Sequence, residues 1–155
     1  MSTSFESKRS GKLSIRTATP RDAEFAYLLL EQTMRGYAIQ TFGAWDAPAA
    51  KTRVSEDAKI GRSQIIELGG QRVGLLCVDQ LPTHHQLDQL YIAPRHQGKN
   101  IGASILSLVL AEAHAKALPV RIRVLRVNPA KRFYERHGFV VTNETPERFF
   151  MENAP

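Results

Sequence analysis

LYIAPRHQGKNIGASIL, residues 90–106, passes from an apolar strand through a turn dense in Gly and basic residues into an amphipathic helix. Such a strand-to-helix turn aims several backbone N–H groups at one point. With the positive end of the helix dipole behind them, they form an anion seat. A seat placed directly after a half-buried strand points to a phosphorylated ligand.

Working outward, residues 86–92 read as the strand that feeds the turn, after the break at Pro82-Thr83. Upstream, residues 64–68 and 72–81 are two strands joined by Gly69-Gly70, a two-residue hairpin signal. Downstream, Ile101, Ile105, Leu108 and Val109 form a helical stripe over 101–116, and Pro119 ends that element. Residues 120–127 alternate Val120, Ile122 and Val124 with Arg121 and Arg123, as a strand does. Residues 129–137 form a short helix stopped by Gly138, and 139–142 and 149–152 supply two closing strands.

The N-terminal part follows the same rules. Residues 13–17 alternate as a first strand. Thr19, Pro20 and Asp22 mark a helix start: a capping hydroxyl, proline at the first helical position and an early acid. That helix is expected to run to about Met34, with 36–48 as an aromatic-rich loop, helical in part or not at all, and 49–60 as a second helix. The order β-α-α-β-β-β-α-β-α-β-β predicts an α+β domain. Its central sheet is mixed and mostly antiparallel, with helices on both faces.

Size and charge limit the functional classes. A chain of 155 residues suffices for one domain with a real core, expected over 13–155. Residues 1–12 are polar, lack the apolar segment of a secretory signal, and read as a disordered lead-in. No apolar run reaches the roughly 18 residues that a bilayer span needs. The lone cysteine, Cys77, excludes an internal disulfide and suits a reducing cytoplasm; mid-strand, it reads as a small buried apolar residue. The net charge of +6 suggests an anionic partner, either nucleic acid or a phosphorylated cofactor. Arg121, Arg123, Arg126, Lys131, Arg132 and Arg136 lie late in the chain but do not form the single block of a nucleic-acid tail. No spacing of His, Cys and acids suggests a metal site.

The element order, QGKNIG at 97–102 and NPAKRFYERHGF at 128–139 together resemble the GCN5-related N-acetyltransferase family. The resemblance covers about 13–152. Gln97, Asn100 and Gly102 fall on the fixed positions of the family turn, with Asn100 where glycine is usual. That position calls for φ > 0, and Asn is the non-glycine residue that tolerates it best. The resemblance implies that Gln97, Gly98, Lys99, Asn100, Ile101, Gly102 and Ala103 wrap the pyrophosphate of acetyl-coenzyme A. It also implies that Leu90, Tyr91 and Ile92 run beside the pantetheine arm. A pantetheine carries amides, so an opened strand edge can pair with it. Arg95, Lys99, Lys131 and Arg136 are phosphate-contact candidates, or else solvated charges.

The implied reaction moves an acetyl group to a primary amine by direct attack in a ternary complex. Tyr134, beside Phe133, matches the family tyrosine that protonates the departing thiolate; otherwise it is a half-buried packing aromatic. Asn128 resembles a cofactor-contacting Asn, one position closer to the Tyr than in many relatives, and also suits a helix cap before Pro129. Asp88 is the candidate base, sharing a strand face with Leu90, and Glu67, on the 64–68 strand and the substrate side, is a second candidate; each is otherwise an ordinary surface acid. His84-His85 lies in a loop mouth, placed to relay protons or, the favoured reading, simply an exposed turn pair. In the family, the region between the first two helices covers the acceptor. There Tyr37 and Trp45 would form walls and Asp46 would attract a cationic amine, or Trp45 would fold onto the core. The alternative reading is a non-catalytic basic domain of this fold that binds nucleic acid or senses acyl-coenzyme A. Acceptor identity, acyl length and oligomeric state, a homodimer included, are not legible in the sequence.

Overall fold

The computed structural model describes residues 3–6 and 11–155. It is an α+β fold with the strand order β1-β2-β3-β4-β5-β6-β8-β7 in one sheet. The elements are β1 (Thr3–Glu6), β2 (Lys12–Thr17), α1 (Ala23–Phe42), α2 (Ala47–Lys59), β3 (Ser63–Leu68), β4 (Gln71–Gln80) and β5 (His85–Ile92), followed by α3 (Ile101–Ala115), β6 (Val120–Leu125), α4 (Ala130–Arg136), β7 (Val140–Glu144) and β8 (Arg148–Asn153). β5 and β6 run parallel, while β1–β2, β2–β3, β3–β4, β6–β8 and β7–β8 are antiparallel. The sheet is therefore mixed and mostly antiparallel, as the hairpin at 69–70 requires. Gly69 and Gly70 both take positive φ there, at 59° and 81°.

Two expectations need correction. The lead-in expected over 1–12 contains strand: Thr3–Glu6 pairs with β2 in the register Thr3↔Ile15 to Glu6↔Lys12. Residues 1, 2 and 7–10 of that stretch lie outside the described residues. The first helix does not end near Met34 either; it continues through Gly36 to Phe42. The glycine that stops it is Gly43, with φ 83° and its N–H donating to the Ile39 carbonyl at 2.8 Å. Gly36 therefore sits inside the helix, with nothing within 4 Å of where a Cβ would stand.

The chain divides into two compact units, each made of three segments. The first holds the described residues up to 35, together with 45–77 and 89–102. Its core joins Ala26, Tyr27, Leu29 and Leu30 of α1 with Val54 and Ala58 of α2, against Ile65 of β3 and Leu75 of β4. Burial of each large aliphatic side chain there contributes about 1.5–3 kcal/mol relative to exposure. Thr19, the short 3-10 turn Pro20–Asp22 and α1 make the expected helix start. The Thr19 N–H donates to Asp22 Oδ2 at 2.8 Å, half of a capping box.

The second unit holds residues 36–44, 78–88 and 103–155. Ile105, Leu106, Val109 and Ala113 of α3 are buried, at helical spacing. Along β6, Val120, Ile122 and Val124 are buried and Arg121 and Arg123 exposed, the alternation read from the sequence. Here the expected exposed pair His84-His85 divides. His85 opens β5, is 2% exposed, and its N–H donates to the Pro119 carbonyl at 2.9 Å. Burial holds its imidazole below the usual pKa, so the neutral form is favoured.

Candidate active site

In the first unit, β5 runs into the turn that the sequence singles out. Gly74 of β4 makes room for it: a Cβ there would stand 2.7 Å from the Tyr91 carbonyl oxygen. The Ala93 N–H donates to the Val73 carbonyl at 2.8 Å. After the 3-10 turn Pro94–His96, the Gln97 side chain reaches back, its Nε2 donating to the Ile92 carbonyl at 3.0 Å. Gln97 thus fastens the turn to the end of its own strand. Gly98 follows at φ 78° and Asn100 at φ 64°, directly before Ile101 opens α3. The left-handed conformation expected at Asn100 is present. At Gly98 an added Cβ would meet nothing within 4 Å, so the front of the turn is open.

His96 escaped the sequence reading. It is 8% exposed, its Nδ1 lies 3.4 Å from Lys99 Nζ, and its Nε2 is buried without a hydrogen-bond partner. Burial first, then Lys99 and Arg95, hold its imidazole toward the neutral form. The signal missed was its place between two basic residues in a turn that must fold onto a strand.

The acceptor-side candidates of this unit have structural partners. Trp45 Nε1 donates to the Tyr27 hydroxyl at 3.2 Å, which donates to Glu31 at 2.8 Å, and the Trp45 ring packs against the core. Asp46 caps α2, its Oδ1 accepting from the Ala49 N–H at 3.0 Å. Glu67 accepts from Arg16 Nε at 3.1 Å. Arg16 also holds Asp22, at 2.8 Å and 2.9 Å, and Arg72 adds a bond at 3.2 Å. As an early acid of the helix Asp22 is legible in the sequence; its arginine partners are Arg16 of β2, six residues before it, and Arg72 of β4, fifty residues after it.

The second unit carries the other cluster. Asn128 Oδ1 accepts from the Ala130 N–H at 2.9 Å, but Pro129, not Asn128, takes the N-cap position of α4. Tyr134 is 9% exposed, edge-on to Phe133 at 5.2 Å and to Phe139 at 5.4 Å between ring centres. Gly138, at φ 91°, ends α4 as expected, and the Phe139 N–H returns to the Tyr134 carbonyl at 3.1 Å. The Tyr134 main chain is thereby locked. Lys131 lies 3.6 Å from Glu135 and 4.6 Å from the Phe149 ring centre. Asp88, 7% exposed at its side chain, accepts from Arg123 at 3.2 Å. Tyr37 is half-buried on α1. Cys77, of the first unit, is buried as expected. Among the described residues no group of three or more His, Cys, Asp or Glu is placed to hold a metal ion.

A strand, a tight left-handed turn and a helix N-terminus, followed by a crossover to a parallel strand, form an arrangement that can seat an anion at the strand end. The family model of the acetyltransferase (GNAT) domain matches residues 60–141, more than half of the chain. The chain belongs to that family. The matched span contains the turn, α3, β6 and Tyr134.

Solved structures share the fold. PaiA N-acetyltransferase from Thermoplasma acidophilum, in complex with coenzyme A, is 18% identical, with a TM-score of 0.72 over 92% of this chain and 99% of that one. An acetyltransferase from Thermus thermophilus is 21% identical, with a TM-score of 0.70 over 92% and 97%. A GNAT-family acetyltransferase from Listeria monocytogenes is 12% identical, with a TM-score of 0.71 over 99% and 100%. At such identities the likeness speaks to fold alone. No curated protein matches the sequence.

Proposed function

We propose that this protein transfers an acetyl group from acetyl-coenzyme A to a primary amine, by direct attack of the amine while both substrates are bound. The observation that carries this reading is the turn before α3. Gly98 and Asn100 are both left-handed, and the space in front of Gly98 is open. Such a turn suits a diphosphate held by the main-chain N–H groups of 97–103, with Lys99 and Arg95 adding charge. The family match and the coenzyme-bound Thermoplasma relative support the same assignment.

Bound acetyl-coenzyme A supplies an activated acetyl thioester. The chain's own groups supply the rest. Leu90, Tyr91 and Ile92 offer a strand edge to the amides of the pantetheine. A backbone N–H near Leu90 or Tyr91 polarises the thioester carbonyl. The Tyr134 hydroxyl hands its proton to the departing sulfur. The amine reacts only after losing its own proton, which Asp88 accepts through water. Phe133, Asn128 and Arg136 line the coenzyme in this reading, and Tyr37 faces the acceptor. Trp45, Asp46 and Glu67 act on the acceptor side through the structure they hold.

The test is a panel of amines assayed for free thiol release, run on wild type and Tyr134→Phe. Turnover is expected to fall about 10- to 100-fold in the variant, within the range of general acid catalysis, with coenzyme affinity little changed. Unchanged turnover removes Tyr134 from the acid role. Absence of thiol release with every amine removes the reaction.

A further inference from the structure

The second unit contains a cavity of about 540 Å³ that the coenzyme reading does not use. It lies over the starts of β5 and β6 and over β7 and β8, with His84, Gln86, Arg121, Arg123, Thr142 and Phe150 among its walls. Its volume falls within the roughly 300–1,000 Å³ of small-molecule pockets. Strand alternation places Arg121 and Arg123 on one face of β6, about 7 Å apart along the strand.

Both guanidinium groups are anchored by carboxylates at one nitrogen. Arg121 donates from Nε to Glu152 at 2.8 Å, and Arg123 from one terminal nitrogen to Asp88 at 3.2 Å. A second Arg121 nitrogen lies 3.5 Å from His84 Nδ1. Each guanidinium has five N–H donors in a rigid fork, so both groups keep donors beyond these bonds. Their side chains are about half exposed, at 47% and 52%, whereas the Asp88 side chain is only 7% exposed. The cavity wall itself carries two arginines against the single carboxylate of Glu152. The lining is therefore net positive before His84 is counted, and its arginines are already held in place. Phe150, half-buried between them and β7, adds a ring face.

We propose that this cavity binds a small ligand whose carboxylate or phosphate group sits on Arg121 and Arg123 and whose flat apolar body lies on Phe150. Anchored guanidinium forks bind such anions at two points with little further ordering. An aromatic ring face supplies apolar area at low entropic cost. The proposal does not depend on the coenzyme assignment, because it uses none of residues 97–103.

Backbone amide NMR titration tests it, with phenyl phosphate, benzoate and inorganic phosphate as probes at constant ionic strength. Phenyl phosphate and benzoate separate the phosphate and carboxylate sources, and inorganic phosphate lacks the ring. Saturable shifts are expected at the amides of 84–86, 121–123 and 150–152, separately resolved from any at 97–102. Arg121→Gln is expected to weaken binding about tenfold, as loss of a charge-assisted pair does. Arg123→Lys keeps a cation beside Asp88 but loses the fork, and is expected to weaken binding while leaving the spectrum folded. Phe150→Ala is expected to remove the advantage of the ring-bearing probes. Shifts that fail to saturate at these strands, or equal affinity in wild type, Arg121→Gln and Arg123→Lys, overturn the proposal.

Discussion

Asn100 holds a backbone conformation that an L-residue adopts at a cost of about 1–2 kcal/mol, less for Asn because its short polar side chain bonds locally. Asn100→Gly is therefore expected to leave stability and coenzyme affinity nearly unchanged. Asn100→Val is expected to lose about 1–2 kcal/mol of stability and to weaken coenzyme binding, read by thermal unfolding and by titration. Equal behaviour of the two variants contradicts the role given to this φ. Asp22 belongs to the same scale. Hydrogen bonds from Arg16, and then the Thr19 N–H and Arg72, outweigh the burial that opposes its charge, and hold its carboxyl well below the usual range. Its folded pKa lies below the unfolded one, so its stabilisation is complete above the unfolded value of about 4. It is lost as pH falls through the folded value. The stability gap between wild type and Asp22→Asn, followed by denaturant unfolding, is thus expected to be widest near neutrality and to narrow below about pH 4. A gap that does not change with pH contradicts the ion-pair account.

At the scale of elements, α1 shows where sequence reading stops short. Gly36 looks like a helix terminator, because glycine disfavours helix by about 1 kcal/mol relative to Ala. It is not one: the helix continues through Tyr37, Ile39 and Phe42 to Gly43. Gly36→Ala is expected to raise the thermal midpoint, contributing about 0.5–1 kcal/mol, since the helical backbone suits Ala and nothing obstructs its Cβ. A lowered midpoint means that the helix breaks at Gly36 in solution.

Elements set by local signals were legible. The 69–70 hairpin, the alternation of β6, the turn before α3 and the stop at Gly138 are each encoded within a few residues. What was not legible is nonlocal. Arg123 reaches Asp88 from the neighbouring parallel strand, and Arg72 of β4 reaches back fifty residues to Asp22. Trp45 reads equally as a substrate wall and a core residue until Tyr27 is seen to accept its N–H. β1 escaped because its polar sequence gains pairing only from β2, beyond the reach of a hydrophobic pattern.

For the whole molecule, family membership narrows the chemistry to that of the acetyltransferases, and no described helix is long and apolar enough to cross a membrane. The account rests on residues 97–103 seating the diphosphate of coenzyme A. In the proposed site, a branched side chain at the first turn of α3 would crowd that seat without altering its charge. The most direct test is a calorimetric titration of coenzyme A into folded wild type and into folded Gly102→Val. Saturable one-site binding by wild type, weakened about tenfold or more in the variant, is the expected result. Folded wild type that takes up no coenzyme, or a Gly102→Val protein that binds it as tightly, contradicts the account.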